Sequence, residues 1–173
     1  MGKIIFYEDE NFSGRQFECS DDCSDLMCLL SCCSSVRVES GCFMIYEEPN
    51  YSGNQYYLRR GEYPDFHHWM GIGDSVSSCR LILMPCLFNL RLYERIEFGG
   101  QMMDLVDDCP CVRDRFHVNN IFSCNVANGN WLFYEQPHYR GRMYLIRPGD
   151  YKRFSEWGGR NARVGSIRRI MDY

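Results

Sequence analysis

The chain has 173 residues, enough for one or two small domains that each bury a core. Its 19 basic and 23 acidic residues leave a net charge of −4, without the basic face that nucleic-acid binding demands. No run reaches the roughly 18 to 20 apolar residues of a membrane helix, and only Ala127 and Ala162 are alanine, which argues against a helical protein.

The first six residues are too short and too soon polar for a secretory signal. Phe6 also stands where a myristoylation motif wants Ser or Thr, so an untagged cytosolic chain is expected. Lys3–Glu8 reads as the first strand, an aromatic and β-branched run ended by a polar turn. Within it Tyr7 opens a pattern completed by Phe12 and Gly14: Tyr, four residues, an aromatic, one residue, Gly. The pattern returns as Tyr46, Tyr51 and Gly53, then Tyr93, Phe98 and Gly100, then Tyr134, Tyr139 and Gly141. A Glu follows each Tyr: Glu8, Glu47, Glu94 and Glu135. Ser-x-Arg closes three of the repeats at Ser35/Arg37, Ser78/Arg80 and Ser166/Arg168, whereas the third has Ser123 with Asn125. Further strands are expected at 42–47 and 131–135, and shorter ones at 55–58 and 142–146, to a total of four per repeat.

Each unit spans about 40 residues, a usual length for a repeated supersecondary element. The second and fourth repeats align at a constant offset: Gly61, Tyr63, Phe66, Trp69 and Gly71 match Gly149, Tyr151, Phe154, Trp157 and Gly159. The first and third align through Asp21-Asp22-Cys23 and Asp107-Asp108-Cys109. The order is A-B-A-B, which points to duplication of a two-repeat domain and not to a solenoid. Expected boundaries are 1–83 and 89–173, joined by a linker at 84–88 whose Pro85 stiffens it. The repeated Gly is expected at a fold-back with positive φ. The aromatics should pack over that fold, and the serine hydroxyl should bond the hairpin backbone.

Four such motifs in register, with Trp-x-Gly in the B repeats, resemble the βγ-crystallins over the full chain. The short linker, the lack of terminal arms and the closing Arg168-Arg169-Ile170-Met171-Asp172-Tyr173 are similar to γ-crystallins in particular, and nine methionines point toward a fish M-type form. The resemblance implies an all-β fold of two βγ-crystallin Greek-key β-sandwich domains, two Greek-key motifs each, related by a pseudo-two-fold axis. It places interface contacts on Met44, Tyr57 and Ile82 in one domain and on Leu132, Leu145 and Ile170 in the other. Tyr57 departs from an apolar position, and its hydroxyl is expected to reach water. The family usually has a fourth tryptophan, and Phe43 stands in its place, so domain one would lack energy transfer within a buried tryptophan pair.

The resemblance also implies a structural constituent of the eye lens: monomeric, cytoplasmic, and in weak short-range contact with other crystallins at high concentration. No catalytic residue, cofactor, metal site, membrane, nucleic acid or small-molecule substrate is expected. Composition agrees with that reading. All basic residues but Lys3 and Lys152 are arginine, and 15% are aromatic, so polarisable side chains dominate. The alternative is a weak calcium-binding or stress-related non-lens relative.

The candidate chemistry is thin. Calcium-binding relatives carry a loop of two Asn/Asp, two variable residues and Ser/Thr-Ser. Loops 30–35, 73–78, 118–123 and 161–166 are each incomplete, with 73–78 the nearest. Cys109, Cys111 and His117 lack the spacing of a zinc site. His67-His68 reads as a solvated pair, and the two Asp-Asp pairs read as turn residues. Eleven cysteines, an odd number without a tight paired framework, are expected as thiols in a reducing cytosol. Cys32-Cys33 and Cys109-Pro110-Cys111 are the oxidation liabilities.

Overall fold

The computed structural model describes residues 2–71, 73–83 and 87–171. The chain divides into two units, Met1–Leu83 and Met84–Tyr173. Most of the expected linker, residues 84–86, lies outside the described residues.

Unit 1 contains β1 (Lys3–Asp9), β2 (Ser13–Cys19), β3 (Ser35–Ser40), β4 (Cys42–Glu48), β5 (Ser52–Leu58), β6 (Gly61–Tyr63) and β7 (Ser78–Ile82). One sheet runs β2-β1-β3-β6 and a second contains β5-β4-β7, all antiparallel. Alternation along the strands decides which side chains enter the core: Ile4 and Phe6 from β1, Val36 and Val38 from β3, Phe43 and Ile45 from β4.

Unit 2 repeats the plan with β8 (Asn89–Arg95), β9 (Gly99–Leu105), β10 (Ser123–Asn128), β11 (Trp131–Gln136), β12 (Arg140–Ile146), β13 (Gly149–Tyr151) and β14 (Ser166–Arg169). Its sheets contain β13-β10-β8-β9 and β14-β11-β12. The core gathers Leu90, Leu92, Trp131, Phe133, Trp157 and Ile167. A five-residue helix, α1 (Val112–Phe116), lies between β9 and β10.

The two repeats of each unit exchange their third segments. In unit 1, β6 of the second repeat pairs with β3 of the first, while Cys23 of the first bridges to Cys79 in β7. In unit 2, β13 pairs with β10, and Cys109 bridges to Ile167 in β14. This return connection is the Greek-key pattern, and it leaves neither repeat able to close its sheets alone.

Four strands per repeat hold only for the second and fourth repeats. In the first and third, the third strand shrinks to that one bridge, because a carboxylate takes over the next amide. Asp22 Oδ1 accepts the Leu81 N–H at 2.8 Å, and Asp108 Oδ1 accepts the Arg169 N–H at 2.8 Å. In unit 2 Pro110 follows immediately and has no N–H to continue a ladder. The chain then drops an apolar plug into the core: Leu26, with its N–H on the Ser77 carbonyl, and Val112, with its N–H on the Gly165 carbonyl.

Candidate functional site

The four recurring motifs form one structure repeated four times. In the first hairpin the Ser35 hydroxyl donates to the Asp9 carbonyl at 2.6 Å and accepts the Phe12 N–H at 2.9 Å. Ser78 does the same with Glu48 and Tyr51, Ser123 with Arg95 and Phe98, and Ser166 with Gln136 and Tyr139. The two aromatics of each motif meet edge to face, with centroids 5.4 to 5.7 Å apart.

The motif glycines take positive φ as expected, Gly14 at 79° and Gly141 at 80°. The structure adds something the sequence did not announce. The aromatic and the residue before it are also left-handed: Asn11 and Phe12 at 57° and 60°, and likewise Asn50 and Tyr51, Glu97 and Phe98, His138 and Tyr139. Such a conformation costs about 1–2 kcal/mol per non-glycine residue. The serine bonds and the ring pair hold it in place.

Three hairpins carry an arginine over the second ring. Arg37 lies 4.4 Å from the Phe12 centroid, Arg80 3.9 Å from Tyr51, and Arg168 3.9 Å from Tyr139. At the third, Asn125 instead donates its amide to Asp150 at 2.7 Å. The glutamate after each tyrosine binds within its own hairpin or beside it. Glu47 accepts from the Tyr56 hydroxyl at 2.7 Å, Glu94 from the Gln101 N–H at 3.1 Å, and buried Glu135 takes the Arg160 fork at 2.9 and 3.0 Å.

The loops weighed for calcium are tied to one another in pairs. Cys33 donates its N–H to the Asp74 carbonyl, Ile121 to Ala162 and Val164 to Asn119. Asn161 Oδ1 accepts the Arg163 N–H at 2.9 Å. Among the described residues no three His, Cys, Asp or Glu gather as a metal site would require. Cys109 is buried in its bridge, whereas Cys111 and His117 cap opposite ends of α1. Six helical steps of 1.5 Å put those two about 9 Å apart along the axis. His68 is more than solvated: its Nδ1 lies 2.8 Å from Asp65 Oδ1, which also caps the His67 N–H. That contact holds the Asp65 carboxyl below the usual carboxylate range.

Tyr57 has a partner inside unit 1 that its sequence position did not suggest. Its half-buried hydroxyl donates to Cys42 Sγ at 3.3 Å, and burial first, then this contact, pushes the phenol up. Three thiols of unit 1 also meet. Cys79 Sγ lies 3.9 Å from Cys19 Sγ, and Cys23 shares the bridge to Cys79. Hydrogen bonding from Cys79 pulls Cys19 down to about 6, and the same contact drives Cys79 up. Burial raises Cys33 to about 12 and raises Cys124 further.

The surface carries ion pairs of mixed sign. Arg91 holds Asp104 at 2.7 and 3.3 Å, Arg115 meets Asp107 at 3.0 Å, and Arg153 meets Glu97 at 3.3 Å. Each exposed pair contributes about 0–1 kcal/mol. No described helix is long and apolar enough to cross a membrane.

Residues 3–82 and 89–170 match the family model described as Beta/Gamma crystallin. A gamma-crystallin D of Macropus fuliginosus is 59% identical over 172 residues, 99% of each chain. A gamma-crystallin D of Bos taurus is 58% identical over 172 residues, again 99% of each. A gamma-crystallin M2 of Chiloscyllium indicum is 57% identical over 173 residues, 99% of this chain and 98% of that one.

Proposed function

The chain belongs to the beta/gamma crystallin family, and from that premise we propose that it is a structural constituent of the eye lens. In this reading it is a monomeric, soluble, long-lived protein of the fibre-cell cytoplasm, without catalytic activity, that raises refractive index while keeping the solution transparent. The observation that carries the reading is where the recurring polar residues point. Each motif serine bonds the backbone of its own hairpin, and at three of the four Ser-x-Arg positions the guanidinium lies over a ring. The residue types that recur most strictly thus serve closure of the fold.

Refractive increment follows electronic polarisability per unit mass, which is high for aromatic rings, sulfur and guanidinium. The chain is rich in all three, with 12 Tyr, 11 Phe, 11 Cys and 9 Met against two lysines and two alanines. Packing needs alone do not ask for arginine in place of lysine on a solvated surface. Mixed-sign ion pairs leave no large single-sign field, which moderates attraction between neighbours. Tight hairpin closure favours slow unfolding, the property that matters for a protein that is not replaced.

Abundance in lens fibre cells, measured together with light scattering at lens-like concentration, tests the proposal. High abundance and scattering below that of independent particles are expected. Absence from the lens, or scattering that grows with clustering, contradicts it.

A further inference from the structure

We propose that Asn128-Gly129, at the end of β10, is a deamidation site that folded unit 2 holds closed, and that the Phe88–Trp131 corner is what holds it. The proposal rests on the packing of unit 2 and not on the lens reading. Asn128 is the only asparagine of the chain followed by glycine. A glycine nitrogen is the least hindered nucleophile toward a preceding side-chain amide, because no Cβ shields it.

The reaction needs only water. The Gly129 nitrogen forms a bond to Asn128 Cγ and gives up its proton to solvent. The Cγ–Nδ2 bond breaks, and ammonia leaves with a proton from solvent. Water then opens the cyclic imide at one of its two carbonyls. Opening at Cγ yields aspartate. Opening at the backbone carbonyl yields isoaspartate, with an extra methylene in the main chain.

The fold opposes the first step. Asn128 is the end of β10, in register with Asn89. Extended strand backbone, with ψ of about +135°, turns the following nitrogen away from the side chain, so ring closure from it requires rotation about the Cα–C bond. Four contacts resist it. The Asn128 carbonyl accepts the Trp131 indole N–H at 3.2 Å. Gly129, at φ 88°, lies so close beneath Phe88 that a Cβ there would fall 2.4 Å from Phe88 Cδ1. Phe88 in turn stands edge-on to fully buried Trp131, with centroids 5.7 Å apart at 89°. One residue on, the Asn130 carbonyl accepts the Ile170 N–H at 2.9 Å. Turning the Asn128–Gly129 peptide therefore breaks the indole bond and drives Gly129 against Phe88.

Unit 1 has the same turn without the reactive group. Ser40-Gly41 stands at the matching place, with Gly41 at φ 76°. Serine carries no amide, so the liability is specific to unit 2. Isoaspartate at 128 would lengthen the connection from β10 to β11 and pull the carbonyl away from Trp131.

The test is site-resolved mass spectrometry on the full chain during long incubation, in native buffer, in denaturant and for two variants. Native Asn128 should deamidate at least about tenfold more slowly than the unfolded chain, as local structural protection provides. Phe88→Ala should speed Asn128 while leaving Asn54, in unit 1, unchanged. Phe88→Leu keeps bulk without the ring and serves if Phe88→Ala unfolds unit 2, which Trp157 fluorescence reports. Equal rates at Asn128 in native and unfolded protein overturn the proposal. So does an unchanged rate in a folded Phe88 variant.

Discussion

Where the second strand of each unit approaches the last, unit 1 gathers sulfur and unit 2 gathers hydrocarbon. Cys19, opposite Ile4, and Cys79, opposite Ile45, sit where unit 2 has Leu105, opposite Leu90, and Ile167, opposite Phe133. Cys23 and Cys109 make the same bridge in both. The shared topology asks only for apolar groups of moderate size there, and a thiol meets that demand. What differs is chemistry: at this place unit 1 has an ionisable cluster of three thiols, where among the described residues unit 2 has the thiol of Cys109 beside Leu105 and Ile167.

A second place tells a similar story. Gly2, Phe43 and Leu81 form a corner in unit 1, where a Cβ on Gly2 would fall 2.4 Å from Leu81 Cδ1 and 2.9 Å from Phe43 Cζ. The corner of unit 2 is Phe88, Trp131 and Arg169, with the guanidinium 5.6 Å from the Phe88 centroid. Volume given up by one side chain is taken up by its neighbour, so the duplicated sandwich tolerates divergence in compensated sets.

If the corners are equivalent despite their composition, removing either ring should cost alike. Phe43→Ala and Trp131→Ala, both at fully buried positions, should each destabilise their own unit by about 3–5 kcal/mol. Denaturant unfolding, read by Trp69 in unit 1 and Trp157 in unit 2, checks this. A near-zero loss in one unit breaks the equivalence.

The hairpin serines should make the units look identical. Ser78→Ala and Ser166→Ala each leave a backbone N–H and a carbonyl without their partner, for a loss of about 1–3 kcal/mol. Ser123→Ala should match them, although its repeat lacks the arginine. Smaller still, Arg80→Ala and Arg168→Ala should cost about 0.5–1 kcal/mol each. The same unfolding curves read all five.

The thiol cluster should separate the units by pH. Cys19 ionises near 6 in the folded protein against an ordinary thiol value of 9.0, chiefly because Cys79 donates to it. A lowered folded value means the thiolate form stabilises the fold. Its contribution is complete above about 9 and is lost as pH falls through about 6. Over that window unit 1 should gain stability with rising pH relative to the Cys19→Ser variant, while unit 2 stays flat. At neutral pH a thiolate-directed alkylating reagent should label Cys19 well before buried Cys33 or Cys124. Labelling in the reverse order would remove the basis for the pH difference.

The repeats were legible because their constraints are local. A glycine two residues after an aromatic marks the fold-back, and alternation marks β1, β4 and β11. The left-handed Phe12 and Tyr51 were not legible, since what holds them is a serine 23 or 27 residues away. The one-bridge third strands were hidden for the same reason: Asp22 finds its partner amide 59 residues on, and Asp108 finds its own 61 on. The Cys19–Cys79 contact spans 60 residues, and nothing in either local sequence marks it. The recurring glutamates were visible as a pattern, but their partners, Tyr56, Gln101 and Arg160, emerge only once the second strand or the B-repeat loop is placed.

We propose that this sequence was shaped to pack polarisable side chains into two closed sandwiches. The refractive index increment of the purified, reduced protein tests that directly. A value above that of ordinary globular proteins of equal mass is predicted, and a value no higher than theirs would contradict it.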